Sequence, residues 1–168
     1  MPGDTVVIGL GNMLMGDDGV GIAALERLRA EWELPPEVEL VDGGTWGMNL
    51  LPLLECADRV VLLDAIQNGS APGTITELEG QHVPRMLSIK LSPHQIDLRE
   101  VLAVAMLRGT VPRELFAIGV EPHNLEMGLE LSDVVDSAMP RLVTRVVQRL
   151  KSFGHRCSRR ALAGTCTS

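Results

Sequence analysis

Short apolar runs alternate along this chain with longer segments that carry a helical spacing of apolar residues. The runs rich in β-branched residues predict strands at Thr5–Leu10, Val38–Val41, Arg59–Asp64 and Leu115–Val120. Residues 73–79 alternate apolar and polar side chains, which is typical of an edge strand and suits antiparallel pairing. Strands separated by helices predict an α/β domain with a mainly parallel sheet.

The first two predicted helices follow the first two strands. One covers about residues 19–33, with Leu25, Leu28 and Trp32 on one face, and Pro35-Pro36 ends it. A second helix is expected near residues 47–55. Cys56 precedes the third strand within this apolar helical pattern, which places it in the core.

Two further helices are predicted in the second half. Ser92-Pro93-His94 is typical of a helix start, because Ser caps and Pro suits the first helical position. The helix after it is expected to bury Leu98, Val101, Leu102, Ala105 and Met106. The last helix starts at a Ser132 cap, and Pro140 is predicted to kink or restart it. Its apolar stripe is Val135, Ala138, Met139, Leu142, Val143, Val146, Val147 and Leu150.

The domain organisation follows from where the periodicity stops. Residues 1–154 are expected to form one α/β domain, since no repeat or internal boundary interrupts them. Residues 155–168 carry three Arg, no acid and no periodicity, so they predict a basic, flexible tail.

Composition then narrows the function classes. The 168 residues have a formal net charge of −7 and only 2% aromatic residues, which disfavours nucleic-acid binding. Three Cys without a CxxC pair disfavour a disulfide framework or a structural zinc site. No signal peptide and no stretch of roughly 20 apolar residues is found, so a cytoplasmic, monomeric protein is expected.

A glycine cluster, Gly9-Leu10-Gly11-Asn12, follows the first strand. A dinucleotide fingerprint needs a third Gly at the position that Leu14 holds, so this fingerprint is absent. Two interpretations remain: a long loop of tight turns, or a loop that forms a site.

Acidic residues follow the first three main strands, and they are the strongest candidates for chemistry. Asp17 and Asp18 follow the first, Asp42 ends the second and Asp64 ends the third, while His94 opens a helix on the same edge. Ligands of open parallel sheets bind at the carboxyl ends of the strands. Two carboxylates and an imidazole there would suit nickel or zinc.

Each candidate also has a structural interpretation. Asp17 is expected to cap the first helix, and Asp42 is equally consistent with an ordinary turn residue. Asp64 favours function, because a carboxylate at the end of a buried strand is costly unless something binds it. The remaining histidines are expected at the surface: His82, His123 and His155.

Four blocks, in order, resemble the signatures of the hydrogenase maturation endopeptidases. They are VIGLGNMLMGDDGVG at 7–21, DGGTWGM at 42–48, LDA at 63–65 and SPHQ at 92–95. The resemblance implies a three-layer α/β sandwich with a twisted, mostly parallel sheet of about five strands. It also implies a peptidase, in a family that some group with the aspartic proteases. Such an enzyme removes the C-terminal extension of the nickel–iron hydrogenase large-subunit precursor after nickel insertion.

The resemblance also assigns roles to residues. Asp18, Asp64 and His94 match the metal-contacting positions and would share catalysis with metal recognition. The nickel would arrive on the substrate instead of being held permanently. Asp42, with the Gly43-Gly44 turn, would orient the scissile segment. The resemblance leaves open whether a carboxylate or a metal-polarised water acts in hydrolysis.

Two other classes of protein share parts of this pattern. A receiver-like phosphoacceptor also places acids after strands one and three, but it needs a Lys at the end of a late strand, and LFAIGV is followed by none. A flavodoxin-like cofactor binder is disfavoured by the scarcity of aromatic residues and by the absent fingerprint. Both would be small-molecule binding modules and not peptidases.

Overall fold

The computed structural model describes residues 5–44, 47–86 and 98–161. A five-stranded sheet has the order β3-β1-β4-β6-β5, and a separate two-stranded ribbon pairs β2 with β7. The strands are β1 (Thr5–Leu10), β2 (Trp32–Glu33), β3 (Val38–Gly44), β4 (Arg59–Ala65), β5 (Ile75–Glu79), β6 (Glu114–Val120) and β7 (Ser158–Arg159). Strands β3, β1, β4 and β6 are mutually parallel, and β5 is antiparallel to β6, so the predicted antiparallel edge strand is confirmed.

Helices cover both faces of the five-stranded sheet. They are α1 (Val20–Glu31), α2 (Leu51–Cys56), α3 (Val83–Met86), α4 (Leu98–Arg108) and α5 (Asp133–Ser152). One core packs α1 and α5 against the sheet, and the other packs α2 and α4 against its opposite face. The predicted three-layer α/β sandwich is therefore confirmed. No helix among these described residues has both the length and the hydropathy needed to cross a membrane.

Helix α5 shows how strongly an apolar stripe determines local structure. All eight side chains of the predicted stripe are buried. The helix runs without a break through Pro140, so the predicted restart is wrong. Pro140 is exposed, and burial of the stripe on both sides of it offsets the roughly 3 kcal/mol that an interior proline costs.

Helix α1 ends earlier than predicted, because the residues that follow it pair with β7 instead of continuing the helix. Trp32 leaves α1 and, with Glu33, forms β2, which pairs with Ser158 and Arg159 of β7. The side chains of Lys151 and Arg159 lie over the Trp32 ring, 5.6 Å from its centroid in each case. The helical placement of Trp32 was wrong because this contact is made with residues more than a hundred positions away.

The chain segment after Gly154 also differs from its expected form. Its first seven residues include β7, and the backbone N–H of Arg160 donates to Glu31 O at 2.8 Å. His155 is half-buried, with Nε2 2.7 Å from Thr5 Oγ1, so its expected surface position was wrong. Residues 162–168 lie outside the described residues, and the flexibility of the tail stays a prediction.

Two other residues lie outside the core that the sequence predicts for them. Cys56 is exposed at the last position of α2, and Met106 is 63% exposed in the last turn of α4. Both helices end there, at the amino edge of the sheet, where Glu114 N bonds Asp58 O. The regular apolar spacing continues to the end of each helix. The last turn, however, extends beyond the surface against which the helix packs.

Candidate functional site

The parallel strands bring the predicted acids to one edge of the sheet. In the register of the sheet, Gly9 lies beside Asp42 of β3 on one side and Leu63 of β4 on the other. Asp64 comes one position further along β4 and lies beside Gly119 of β6. The carboxyl edge therefore carries Asp42 and Asp64 next to the loop that leaves β1.

Asp18 lies on a 3₁₀ turn, Gly16–Gly19, directly before α1. Its side chain is buried, with only 7% of the residue exposed, and Oδ2 accepts a hydrogen bond from Asn12 N at 2.8 Å. Gly11 has φ +108°, and a Cβ there would lie 1.9 Å from Asp18 O. The glycine cluster thus wraps the backbone closely around Asp18, as the site-forming interpretation of this loop requires.

Burial raises the pKa of the Asp18 carboxyl, and the hydrogen bond from Asn12 N opposes this only in part. The ionised form of Asp18 is therefore held at a cost in the folded chain. A cation next to Asp18 would remove that cost, because it favours the ionised carboxylate.

Asp64 is the penultimate residue of the buried strand β4 and is 6% exposed. Its Oδ1 accepts the backbone N–H of Ala65 at 2.8 Å. The turn Gly16–Gly19 contacts β4, so Asp18 and Asp64 belong to neighbouring elements of the same edge. Gly119 stands beside Asp64 in β6, where a Cβ would lie 2.3 Å from Asp64 O.

Two candidates are not part of this buried pair. Asp42 is exposed two residues before the end of the edge strand β3, beside the buried Gly43. His94 lies outside the described residues. The described residues contain no group of three or more His, Cys, Asp or Glu side chains placed to hold a metal ion.

Asp17 has a structural role, though not the one expected. It does not cap α1, for which no side-chain cap hydrogen bond is formed. Instead its Oδ2 accepts the N–H groups of His123 and Asn124 at 2.9 and 2.8 Å. Ser132 donates its N–H to Oδ1 at 2.7 Å and its hydroxyl to Oδ2 at 2.8 Å. Asp17 therefore joins the turn after β1 to the loop between β6 and α5.

The hydrogen bonds of Asp17 also decide its charge. Burial by itself raises the pKa of this carboxyl, but the donors at Asn124, Ser132 and His123 outweigh burial and hold the pKa below its usual value. Asp17 thus stays ionised inside the protein because four N–H or O–H groups point at it.

Glu121 is a buried acid that the sequence argument missed. It follows the apolar strand β6, and its Oε2 accepts Asn68 N at 2.8 Å. Its backbone pairs with the loop before β5, through Gly73 N to Glu121 O and Glu121 N to Thr74 O. The signal that singled out Asp64, an acid directly after a buried strand, would have found Glu121 as well.

The chain is similar throughout most of its length to proteins of one family. A profile of the family described as hydrogenase maturation protease (HycI) matches residues 22–149. The hydrogenase 2 maturation protease of Escherichia coli is 35% identical over 150 residues, which cover 89% of this chain and 92% of that protein. The hydrogenase expression/formation protein HupD of Thiocapsa roseopersicina is 38% identical over 149 residues, covering 88% of this chain and 65% of that protein.

Solved structures give the same result. The structure of the hydrogenase maturating endopeptidase HybD from Escherichia coli aligns with a TM-score of 0.87 and 34% identity, covering 93% of this chain and 97% of that chain. A solution structure of an Escherichia coli endopeptidase aligns with a TM-score of 0.85 and 33% identity, covering 92% and 96%. These likenesses favour neither the receiver-like nor the flavodoxin-like alternative.

Proposed function

This chain belongs to the hydrogenase maturation protease family and is a peptidase, and on that premise we propose the reaction that its site performs. The chain cleaves the C-terminal extension from the large-subunit precursor of a nickel–iron hydrogenase after nickel has been inserted. The observation that carries this proposal is the burial of Asp18 and Asp64 on contacting elements at the carboxyl edge of the sheet.

Nickel enters this proposal as part of the substrate. Asp18 and Asp64 contact the nickel that the precursor already holds, and His94 adds an imidazole, a ligand type that nickel prefers. Burial raises the pKa of the Asp18 carboxyl in the chain by itself, and nickel on the precursor would favour its ionised form. Only a loaded precursor then binds productively, so nickel acts as the recognition element.

Asp42 orients the scissile segment in this proposal. It is exposed near the carboxyl end of β3, and β3 is an edge strand of the sheet. An edge strand offers unpaired backbone groups, with which an extended peptide can pair. The extension of the precursor would lie along this edge, with Asp42 beside the bond that is cleaved.

The remaining parts of the proposal rest on composition. The chain acts in the cytoplasm, as expected for three cysteines without a CxxC pair. It acts as a monomer, as a chain of 168 residues favours, and without nucleic acid, as its net charge of −7 favours.

The test compares nickel-loaded and nickel-free precursor of a hydrogenase from the same organism, with loss of the extension followed by mass spectrometry. We expect cleavage of the loaded form only. Asp64→Asn and His94→Ala should each lower the cleavage rate by at least about 100-fold. Asp58→Asn, which changes an exposed aspartate at the opposite edge of the sheet, should leave the rate unchanged.

Equal cleavage of nickel-free precursor would show that nickel is not the recognition element. Undiminished cleavage by the Asp64 or His94 variant would show that the assigned roles are wrong. A wild-type chain that cleaves neither precursor would contradict the proposed function itself.

A further inference from the structure

Four large apolar side chains are exposed on two loops beside the candidate site. Met13 and Leu14, in the loop after β1, are 47% and 59% exposed. Met127 and Leu129, in the loop between β6 and α5, are 87% and 76% exposed. We refer to these four residues as the Met-Leu patch.

Backbone hydrogen bonds join the two loops of the patch. Gly16 N donates to Gly128 O, and Gly128 N donates to Leu14 O, both at 2.9 Å. Met15 and Gly128 form an isolated parallel bridge between the loops. The two loops that carry the Met-Leu patch are therefore adjacent and joined along their backbones.

The buried anchor at Asp17 holds the same two loops together. Its carboxylate bonds His123, Asn124 and Ser132 on either side of the patch residues 127 and 129. Within the loops, Asn12 Oδ1 accepts Leu14 N and Asn124 Oδ1 accepts Glu126 N, each at 2.9 Å. These hydrogen bonds, together with the buried carboxylate of Asp17, fix loops that display apolar side chains to water.

The Met-Leu patch is continuous with the candidate site. Asn12, which donates its N–H to Asp18, immediately precedes Met13. Met13 also packs against the turn that carries Asp18, since a Cβ on Gly19 would lie 3.0 Å from Met13 Cα. The patch therefore adjoins the turn that carries Asp18.

Exposure alone does not distinguish the patch. Met106 and Leu107 of α4 are 63% and 89% exposed, but they lie at the amino edge of the sheet, where Arg108 pairs with Glu55. The four residues of the patch differ because they are braced by hydrogen bonds and adjoin the buried aspartates. Fixed apolar surface next to a site is typical of a contact surface for a protein partner.

We propose that the Met-Leu patch is the docking surface for an apolar region of the hydrogenase large-subunit precursor. This inference rests on the proposed function and adds a second recognition element to it. The aspartates respond to nickel, whereas the patch binds apolar side chains whether or not nickel is present. Two methionines suit this role, because their unbranched, polarizable side chains adapt to a partner surface.

The test uses the double variant Met127→Ser/Leu129→Ser and the matched control Met106→Ser/Leu107→Ser, which removes the same residue types from the opposite edge. Isothermal titration gives Kd for nickel-loaded and for nickel-free precursor, and cleavage assays give KM and kcat. We expect the patch variant to raise Kd and KM by at least about 10-fold, with kcat changed less than about 2-fold. The control should change none of these values by more than about 2-fold.

The nickel-free precursor separates the two recognition elements. The patch variant should weaken binding of both precursors by the same factor, while Asp18→Asn should weaken binding of the loaded precursor only. Thermal melting checks that the variants are folded, and Met127→Glu, a single change at an 87% exposed residue, repeats the test with a smaller risk to folding.

Unchanged Kd and KM in both patch variants would overturn the docking surface, as would a loss confined to kcat. Failure of the wild-type chain to bind either precursor would overturn it too. A wild-type chain that binds but does not cleave would contradict the proposed function alone, because the Kd comparison would still decide on the patch.

Discussion

Two regions meet at the short turn Gly16–Gly19. Each contains a buried aspartate, but the pKa values of the two carboxyls are shifted in opposite directions. On the anchor side, Asp17 accepts four hydrogen bonds, and its pKa lies below the usual value. On the site side, Asp18 accepts a hydrogen bond from Asn12, and burial raises its pKa. The neighbouring residues Asp17 and Asp18 thus differ in how readily they ionise, because different numbers of hydrogen-bond donors surround their carboxylates.

This difference separates a structural from a functional use of buried charge. A carboxylate whose hydrogen-bonding capacity is filled by the protein has nothing to offer a ligand. A buried carboxylate that remains costly to ionise gains most when a cation arrives. The comparison therefore favours Asp18 over Asp17 as a site residue on physical grounds, in agreement with the resemblance drawn from the sequence.

The largest expected effect is on activity at the site side. Asp18→Asn keeps the size of the side chain but removes its charge, so we expect the cleavage rate to fall by about 1,000-fold. The rate is measured by single-turnover cleavage of nickel-loaded precursor. Asp136→Asn, a change at an exposed aspartate of α5, is the control and should keep the wild-type rate.

The second effect is on stability at the anchor side. Asp17→Asn replaces an acceptor oxygen by an NH₂ group that faces other donors, so the free energy of unfolding should fall by about 2–4 kcal/mol. Urea denaturation at pH 7 measures this change. Asp133→Asn, at an exposed first-turn position of α5, should cost less than about 1 kcal/mol. Equal losses in the two variants would show that the four hydrogen bonds do not carry the anchor.

The two aspartates should also differ in how their contributions to stability depend on pH. The lowered pKa of Asp17 means that its contribution is present above the usual value of 3.8 and is lost as the pH falls through the folded pKa. The deficit of Asp17→Asn relative to wild type should therefore shrink in acid.

Asp18 should show the opposite sign. Its raised pKa means that its cost to stability appears as the pH rises above 3.8 through the folded pKa. Asp18→Asn should thus gain stability relative to wild type between acid and neutral pH, by about 1 kcal/mol at most. Urea denaturation of both variants from pH 3 to pH 7 tests the pair, and parallel curves would contradict it.

The smallest expected effect lies at the opposite edge of the sheet. There Arg59 and Glu114 form an ion pair that is partly exposed, with side-chain exposures of 23% and 40%. Glu114→Gln should lower the free energy of unfolding by less than about 1 kcal/mol, since exposed pairs contribute little. Cleavage should not change. A large loss of activity here would mean that function is not confined to the carboxyl edge.

Much of the fold was predictable because hydrophobic periodicity is a local property. The eight buried residues of α5 follow one helical stripe, and β1, β4 and β6 are runs of apolar residues that are buried in the sheet. Trp32 could not be predicted, because its conformation depends on pairing with β7 at the other end of the chain. Cys56 and Met106 were misplaced because periodicity does not reveal where a helix extends past its packing surface.

The location of the site could be predicted from the sequence, but the roles of the individual aspartates could not. Strand order and parallel direction place Asp42 and Asp64 at one edge, as an open parallel sheet requires. The sequence does not show that Asp17 accepts donors from positions 123, 124 and 132, since such contacts exist only after folding. The burial of Glu121 is different, because the local signal that marks Asp64, an acid beside a buried apolar run, is present at Glu121 as well.

By itself, the sequence determined the layered α/β architecture, the family and the edge of the sheet where the acids gather. These follow from apolar spacing and from motifs, and both depend on residues that are close together in the sequence. Only the tertiary structure decided which of the two neighbouring aspartates accepts four hydrogen bonds, and that the loops carrying the Met-Leu patch are joined along their backbones. Hydrogen-bond donors and burial determine the state of a carboxylate, and both come from distant parts of the chain that folding brings together.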